Sequence, residues 1–322
     1  MHPRTASIGR AVGAGVALGV IGLGARYFPA GGAPFVAEAA ALSARAAPLA
    51  SPSIAAPVEV ASASPSARPL APGLPSGRVF PVPRAAVYDA DPASRAACAD
   101  DMALVDGDYC PRLEYACLRK TGGIGCAEYV RGQRCLGTPE HRRFCVDRYE
   151  WPNKVGENPM VYVDWHEAKA LCAQAGKRLC RRSEWTLACE GPKRLPFPWG
   201  FVRAPSPCNI DRASIAFDVN AMIHEPTREE ELARLWQADR IGSHPDCVSA
   251  YGAYDLAGNV DEWTDDQADN PASPHPSTLN GGYWGPVRDT CRLTTTSHGP
   301  TFKFYQVGFR CCGDAKDEAP SP

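Results

Sequence analysis

The stretch of this sequence whose residue types could most clearly carry out chemistry runs from Asn280 to Cys291 and reads NGGYWGPVRDTC. Its double glycine lets the backbone approach a neighbour closely, and the two aromatic residues that follow would suit the wall of an active-site pocket. Cys291 would then be a candidate nucleophile. The same stretch is also compatible with a buried strand whose cysteine is only a disulfide partner.

The cysteine content indicates an oxidising compartment. The chain has 322 residues and 14 cysteines, all of them at or after Cys98. A reducing cytosol would leave so many thiols open to oxidation, so we expect several disulfide bonds in an exported protein. The net charge of -2 and the pI near 6.4 give no basic surface of the kind that nucleic acid requires, so no nucleic-acid partner is expected.

The N-terminus has the pattern of an export signal. Arg4 and Arg10 precede an uncharged stretch, Ala11 to Ala25, as in the charged and apolar regions of such signals. This stretch is shorter than the roughly 20 residues that span a bilayer, but no small-x-small cleavage site follows at the usual distance. Residues 1–28 are therefore expected to be either an uncleaved membrane anchor or a cleaved signal. The protein is expected to be periplasmic, cell-surface or secreted, with or without a tether.

Composition divides the rest of the chain. Residues 29–97 are rich in Ala, Pro and Ser, cannot bury enough apolar surface to offset their ordering entropy, and are interpreted as a disordered linker. Residues 98–145 contain six cysteines and are interpreted as a Cys-rich lead-in, whose pairing stays open because six cysteines allow 15 connectivities. Residues 146–312 form the main domain, and residues 313–322 are a polar, disordered tail.

Two helices are well marked in the main domain. Asp164 is placed to cap the first, with Glu167 three residues later as in a capping box, and Gly176 ends it. Ser183 is predicted to cap a second helix from Glu184 to Glu190.

The remaining pattern consists mainly of loops and short strands. FCVDRYEW (144–151) is predicted to be a strand. PTREEELARLW (226–236) is predicted to be a charged amphipathic helix in an insertion, and its charges are interpreted as a solvated face rather than a binding site.

Five blocks of the sequence occur in an order that is typical of one family. They are GKRLCRRSEWTLACEG (176–191), FPWG (197–200), YGAYDLAGNVDEW (251–263), NGGYW (280–284) and VGFRCC (307–312). From about Met102 to Cys312 the chain resembles the sulfatase-modifying-factor family, whose founding members are the formylglycine-generating enzymes. The resemblance implies a loop-rich α+β fold, a variant of the C-type lectin fold, stapled by disulfides.

The resemblance also implies two of the disulfide bonds. Cys172 would pair with Cys311, and Cys189 with Cys291, which favours the staple interpretation of Cys291. A third bond, between Cys208 and Cys247 across the inserted helix, is a hypothesis. Two further cysteines, Cys180 and Cys312, have no partner that the family supplies.

The family's copper chemistry is not expected here. Formylglycine-generating enzymes carry two further cysteines after a Gly-Gly-Ser motif, and these bind copper as thiolates. In this chain the segment is shortened, and its only cysteine, Cys291, matches a structural one. Tyr283 replaces the motif serine, Asp261 replaces a family tryptophan, and Thr294 stands where the family has a substrate-binding arginine.

A residual pocket is still expected where the family's pocket wall would be. The seven histidines of the chain are scattered, and no pair shows the i, i+4 spacing of a helical metal site. His298 lies between the two staple cysteines, Cys291 and Cys311. The candidate pocket residues are Trp284, Arg288, Arg292 and His298.

Calcium is the cofactor that the resemblance implies, because family members bind it in two loops through hard oxygen ligands. The alternative is that Asp255 and Asn259 only form a turn and that Glu262 is a buried salt-bridge partner. The implied ligands are Asp255, Glu262 and the carbonyls of Gly258 and Val260 in the first loop, and Asn209 and the carbonyl of Ile210 in the second.

Two functions from different classes remain open at this point. The first is a binding or structural module whose pocket has been re-purposed for a protein, peptide or glycan ligand at the cell envelope. The second is an oxidoreductase of the formylglycine-generating type, with a rearranged site for a protein or small-molecule substrate. The missing copper cysteines favour the first, whereas fold alone cannot decide.

Overall fold

The computed structural model describes residues 92–121 and 125–316. The predicted signal or anchor, most of the predicted linker and most of the predicted tail lie outside these residues. Within the described part of the chain, no helix combines the length and apolar character needed to cross a membrane.

Five helices form in the described residues, most of them short. Their bounds are α1 Pro92–Ala97, α2 Trp165–Gln174, α3 Arg182–Glu190, α4 Val219–Ile223 and α5 Thr227–Leu235.

Twelve strands, numbered in chain order, are equally short apart from the first and the sixth. They are β1 Met102–Tyr109, β2 Leu113–Glu114, β3 Cys117–Lys120, β4 Cys126–Tyr129, β5 Arg134–Cys135, β6 Glu140–Asp147, β7 Arg178–Leu179, β8 Asp261–Asp265, β9 Ser277–Asn280, β10 Thr294–Thr295, β11 Val307–Phe309 and β12 Cys311–Asp314.

Two four-stranded sheets form the framework. The first has the order β1-β6-β12-β7 and is antiparallel, with β1 and β6 paired from Met102↔Asp147 to Tyr109↔Glu140. The second has the order β10-β9-β8-β11, in which only the β8–β11 pair is parallel. The strand predicted over 144–151 is β6, which begins earlier and ends at Asp147. The predicted Cys-rich lead-in contributes β1 to the same sheet as the last strand.

Helix α2 begins as its sequence predicts. The Asp164 side chain accepts a hydrogen bond from the Glu167 N–H at 2.9 Å, and the Glu167 side chain accepts one from the Asp164 N–H at 3.0 Å. This reciprocal capping box satisfies two N–H groups that a helix start would otherwise leave free. The prediction of a capping box at Asp164 is confirmed.

Helix α3 begins differently from the prediction. It starts at Arg182, so Ser183 lies inside the first turn and the expectation that Ser183 caps the helix is wrong. The N–H and hydroxyl of Ser183 donate to the two carboxylate oxygens of Asp269, at 2.7 and 2.8 Å. The capping acceptor therefore comes from a loop 86 residues away, which local sequence patterns do not show.

The inserted helix forms where it was predicted, and most of its charged face is exposed. Glu231 is the exception, because it is buried and accepts hydrogen bonds from the Asp218 N–H and the Arg234 guanidinium. Glu231 therefore fixes helix α5 to the segment at Asp218 through the hydrogen bonds of its buried side chain.

The core is divided into several apolar clusters rather than one. The largest joins the first sheet to α3 through buried side chains that include Phe144, Val146 and Trp185. A second packs α2 against the second sheet around Trp263 and Phe309. Small clusters of this kind bury less apolar surface than a single large core, so covalent cross-links have more to contribute to stability.

Seven disulfide bonds take up all fourteen cysteines, and none is free. The bonds link Cys98–Cys145, Cys110–Cys135, Cys117–Cys126, Cys172–Cys311, Cys180–Cys312, Cys189–Cys291 and Cys208–Cys247. The first and last parts of the domain also meet directly, since the Lys316 N–H donates to the Ala97 carbonyl at 3.0 Å.

Candidate functional site

A cavity of about 240 Å³ lies against the second sheet, and we call it the Asp261 cavity. Three strands of that sheet contribute to it: Asp261 is the first residue of β8, Leu279 lies in β9 and Thr295 in β10, while Gln306 directly precedes the fourth strand, β11. The side chains that line it are Asp261, Leu279, Tyr283, Val287, Arg288, Thr295, His298, Phe302 and Gln306.

An ion pair forms one wall of the Asp261 cavity. Arg288 donates through Nη2 to both carboxylate oxygens of Asp261, at 2.9 and 2.7 Å, and through Nε to the Thr295 hydroxyl at 2.5 Å. Burial raises the pKa of Asp261, and the Arg288 charge opposes that shift. The guanidinium is thus oriented and neutralised by the protein itself.

An aromatic pair forms a second wall. The His298 ring stacks on Phe302 with 3.8 Å between ring centroids and 9° between planes. Burial lowers the pKa of His298 from its usual value, which favours the neutral form of the ring. A neutral imidazole offers one hydrogen-bond donor and one acceptor.

One polar atom beside this cavity has no partner. The side-chain oxygen of Gln306 is buried and makes no hydrogen bond with any described residue. Gln306 as a whole is 9% exposed. A buried carbonyl without a donor is unfavourable by about 1–3 kcal/mol, so this atom marks a place where a donor from outside the chain would be accommodated.

Two of the four predicted pocket residues lie in the Asp261 cavity, and two do not. Arg288 and His298 line it. Trp284 is 1% exposed and packs with Leu235 of α5 and with Tyr305. The neighbouring void measures about 10 Å³, which is about one water. Trp284 is therefore a core residue beneath the insertion.

Arg292 also has a structural place. Its Nε and Nη2 donate to the two oxygens of Glu190, both at 2.6 Å, and its Nη1 donates to the Cys110 carbonyl at 2.8 Å. Glu190 is fully buried. This ion pair ties helix α3 to the Cys-rich lead-in and takes no part in the cavity.

The double glycine serves close packing of the backbone. Gly281 and Gly282 have φ values of 91° and 73°, which residues other than glycine rarely adopt. A Cβ atom at Gly282 would lie 2.2 Å from a carboxylate oxygen of Asp289, and one at Gly281 would lie 2.9 Å from the Leu256 carbonyl. Cys291 is bonded to Cys189. The stretch from Asn280 to Cys291 is thus a packed turn and not a nucleophile loop.

The first implied calcium loop adjoins a buried cluster of three carboxylates. Asp255, Glu150 and Glu262 are all at most 3% exposed. Burial raises the pKa of Asp255 to about 7, and neighbouring Glu262 adds to the shift. One side-chain oxygen of Asp255 has no hydrogen-bond partner among the described residues. An oxygen of that kind, in an excess of negative charge, fits a hard cation.

Glu262 does not fit as a calcium ligand. Both of its oxygens accept from the buried Arg310 guanidinium, at 2.7 to 3.0 Å, and one also accepts from the Trp185 indole at 2.7 Å. Across residues 92–121 and 125–316 no group of three or more acidic, histidine or cysteine side chains is arranged to hold a metal. A cation at the first loop would therefore rely on Asp255 and on backbone carbonyls.

The second implied loop does not fit calcium. The side-chain oxygen of Asn209 accepts from Arg212 Nε, and its Nδ2 donates to the Gln237 carbonyl at 3.0 Å and to Asn259 at 2.9 Å. A guanidinium already lies at the oxygen that calcium would need, and like charges repel.

Comparison with known proteins gives the family. The model of the sulfatase-modifying factor enzyme 1-like domain, named FGE-sulfatase, matches residues 129–315, more than half of the chain. This chain belongs to that family. Its fold is accordingly the formylglycine-generating-enzyme-type variant of the C-type lectin fold, in agreement with the observed mixture of short helices, short sheets and disulfides.

Two relatives that are similar to this FGE-sulfatase chain differ in activity by name, since one is called inactive and the other an enzyme. "Inactive C-alpha-formylglycine-generating enzyme 2" of Bos taurus is 31% identical over 186 residues, which cover 53% of this chain and 58% of that protein. "Formylglycine-generating enzyme" of Thermomonospora curvata is 30% identical over 172 residues, covering 50% and 52%. The chain thus spans about half the length of the curated relatives it matches.

A solved structure is also similar to the FGE-sulfatase chain. The crystal structure of CarF has a TM-score of 0.43 and 16% identity, with 66% of this chain and 98% of that chain covered.

Part of the cavity has no signal in the sequence. Gln306 lies just before the VGFRCC block, and nothing in its neighbours marks it as a lining residue. Thr295 and Phe302 were equally unmarked. The signal that the sequence offers for Asp261 is its departure from the family pattern, which has tryptophan there.

Proposed function

We propose that this chain is an exported, non-catalytic member of the FGE-sulfatase family that binds its ligand in the Asp261 cavity. The observation that carries the proposal is the disulfide bond between Cys189 and Cys291, in a chain whose fourteen cysteines are all paired. Without a free thiolate pair, the chain lacks the soft ligands that hold Cu(I) in the family's oxidases.

The cavity supports binding rather than turnover. Its cation, Arg288, is held by Asp261 and Thr295, and its histidine is stacked on Phe302. A fixed set of polar groups beside an apolar wall is typical of sites that orient a ligand.

Seven disulfides indicate an oxidising, extracytoplasmic environment. Within it, we propose a periplasmic, cell-surface or secreted location, with the apolar stretch Ala11 to Ala25 acting as a signal or tether. The ligand is accordingly proposed to be a component of the cell envelope.

We also propose calcium at the first loop, through Asp255 and the carbonyls of Gly258 and Val260. Its support is the unpartnered Asp255 oxygen within the buried carboxylate cluster. Calcium there would supply a charge that stabilises the fold, as its place among buried carboxylates indicates.

The oxidised full-length chain tests the proposal directly. It is incubated with Cu(I) and a peptide containing Cys-x-Pro-x-Arg, the substrate motif of the family's oxidases, while oxygen uptake and peptide mass are followed. We expect no oxygen uptake above that of a protein-free control with the same Cu(I) and peptide, and no conversion of the peptide cysteine to formylglycine. Conversion by a chain whose fourteen cysteines remain paired, shown by alkylation and intact mass, would replace the binding module with the oxidoreductase alternative.

A further inference from the structure

We propose that the Asp261 cavity binds an uncharged, hydroxyl-bearing ring, the chemistry of a neutral sugar residue. This inference rests on the proposed function, because it names the ligand class of the same cavity. Three properties of the lining lead to it: its net charge, its unpartnered acceptor and its aromatic wall.

The lining selects against charged ligands. Its charged groups are Asp261 and Arg288, whose opposite charges cancel, and burial favours the neutral form of His298. The Arg288 Nη2 already donates to both oxygens of Asp261, and its Nε donates to Thr295. An anionic ligand would face the Asp261 carboxylate, and a cationic ligand would face Arg288. A buried charge without a partner is strongly unfavourable.

The lining selects for a donor. The Gln306 side-chain oxygen lacks a hydrogen bond in the structure, and only an O–H or N–H can satisfy it. The other polar groups are mixed: the Thr295 hydroxyl accepts from Arg288 and retains its own proton to donate. A hydroxyl is both donor and acceptor, so several hydroxyls on one ring match this mixed set.

The apolar part of the lining suits one face of a ring. Phe302 with the stacked His298, and the aliphatic side chains of Leu279 and Val287, lie on the same cavity. Flat aromatic surfaces pack favourably against apolar faces of a ligand. At about 240 Å³ the cavity is below the usual drug-sized range of about 300–1,000 Å³ and takes a single ring.

Matched sugars of different charge test the charge argument. Glucose, galactose and N-acetylglucosamine serve as neutral probes, glucosamine as the cationic counterpart and glucuronate as the anionic one. Binding to the full chain is followed by the NMR signals of the His298 ring and the Gln306 side-chain amide. We expect at least one neutral sugar to shift both signals, and the charged counterparts to bind about tenfold or more weakly.

Two substitutions of Gln306 separate ligand binding from folding. Gln306→Met keeps the length of the side chain but removes the acceptor; we expect loss of the sugar response with no fall in melting temperature, since an unsatisfied buried oxygen is removed. Gln306→Glu puts a carboxylate at that oxygen and is expected to shift preference from glucose to glucosamine. Gln267→Met, on an exposed glutamine, is the matched control and should change neither property.

The outcomes distinguish this inference from the proposed function. Equal binding of charged and neutral sugars, or no response to any of the sugars, overturns the sugar assignment. Binding of a primary amide such as propanamide in place of the sugars also overturns it, but leaves a binding module. Conversion of the Cys-x-Pro-x-Arg peptide would instead overturn the proposed function itself.

Discussion

Arg212 and Asn209 are joined by a hydrogen bond from the guanidinium Nε to the amide oxygen, at the loop where the family places a second calcium. The same guanidinium donates through Nη2 to Asp239 at 2.5 Å. The Asn209 amide in turn donates to Asn259 in the first loop at 2.9 Å. A side-chain cation thus links the insertion to the first loop, at the position where the resemblance implies a second calcium ion.

Replacement of this cation should loosen the insertion. We expect Arg212→Met to lower the free energy of unfolding by about 1–3 kcal/mol, because Asn209 and Asp239 lose charge-assisted hydrogen bonds. Urea unfolding measures the change, with Lys193→Met on an exposed lysine as the control. A wild-type chain that binds two calcium ions by isothermal titration calorimetry would show that Arg212 does not occupy the second site.

Chelation should destabilise the domain through the first loop. If calcium binds at Asp255, EDTA lowers the melting temperature of the wild-type chain and re-addition of calcium restores it. Asp255→Asn should remove this response, whereas Asp246→Asn, at an exposed position, should keep it. Glu262→Ala is a poor test, since it would leave the buried Arg310 without its partner. An EDTA-insensitive wild-type chain would argue against calcium here.

Arg292 should matter for folding and not for the ligand. Arg292→Met leaves Glu190 buried and unpaired, and we expect a loss of about 3–5 kcal/mol in the free energy of unfolding. The double variant with Glu190→Gln should recover part of that loss, because the orphaned charge is gone. A stable Arg292→Met chain that no longer binds any of the neutral sugars would show that Arg292 contributes to ligand binding.

Asp289 should make stability fall as pH rises. Burial raises the pKa of Asp289 to about 8. The attraction of Arg203 opposes this shift, and the repulsion from Asp211 adds to it. The folded state therefore holds this proton at pH values where the unfolded state has lost it, so the contribution is present below about pH 4 and is lost towards pH 8.

Asp289→Asn should flatten that dependence. Urea unfolding at a series of pH values between 4 and 8 measures it, with each unit of pKa difference worth about 1.4 kcal/mol. Asp100→Asn, on an exposed carboxyl, should retain the wild-type slope. A wild-type stability that rises steadily with pH over this window, with the same slope in Asp289→Asn, contradicts the assignment.

Local signals in the sequence were reliable where the causes are local. The capping box at Asp164 and Glu167 depends on residues three apart, and it forms as predicted. The family blocks gave the fold class because they record a whole arrangement at once. The prediction for Ser183 is wrong because its acceptor, Asp269, lies 86 residues away, where local sequence cannot indicate it.

Only two of the four predicted pocket residues line the cavity, for the same reason. Arg288 and His298 were expected in a pocket because they lie near the family motif, and both are there. Trp284 and Arg292 lie in the same stretch but face Leu235 and Glu190, from the insertion and from α3. Sequence neighbours diverge to different faces of a loop, and only the packed structure assigns them.

The disulfide pattern determines how the domain would respond to a pulling force. A load applied at its two ends passes through Cys98–Cys145 at the start and Cys172–Cys311 at the end. Between Cys145 and Cys172 the covalent path runs through the chain itself, and the rest of the stretch from Cys98 to Cys311 is bypassed by one of these two bonds. A domain pulled at its ends would therefore lengthen by little more than the extension of residues 145–172. Beyond that point, only covalent bonds would carry the load.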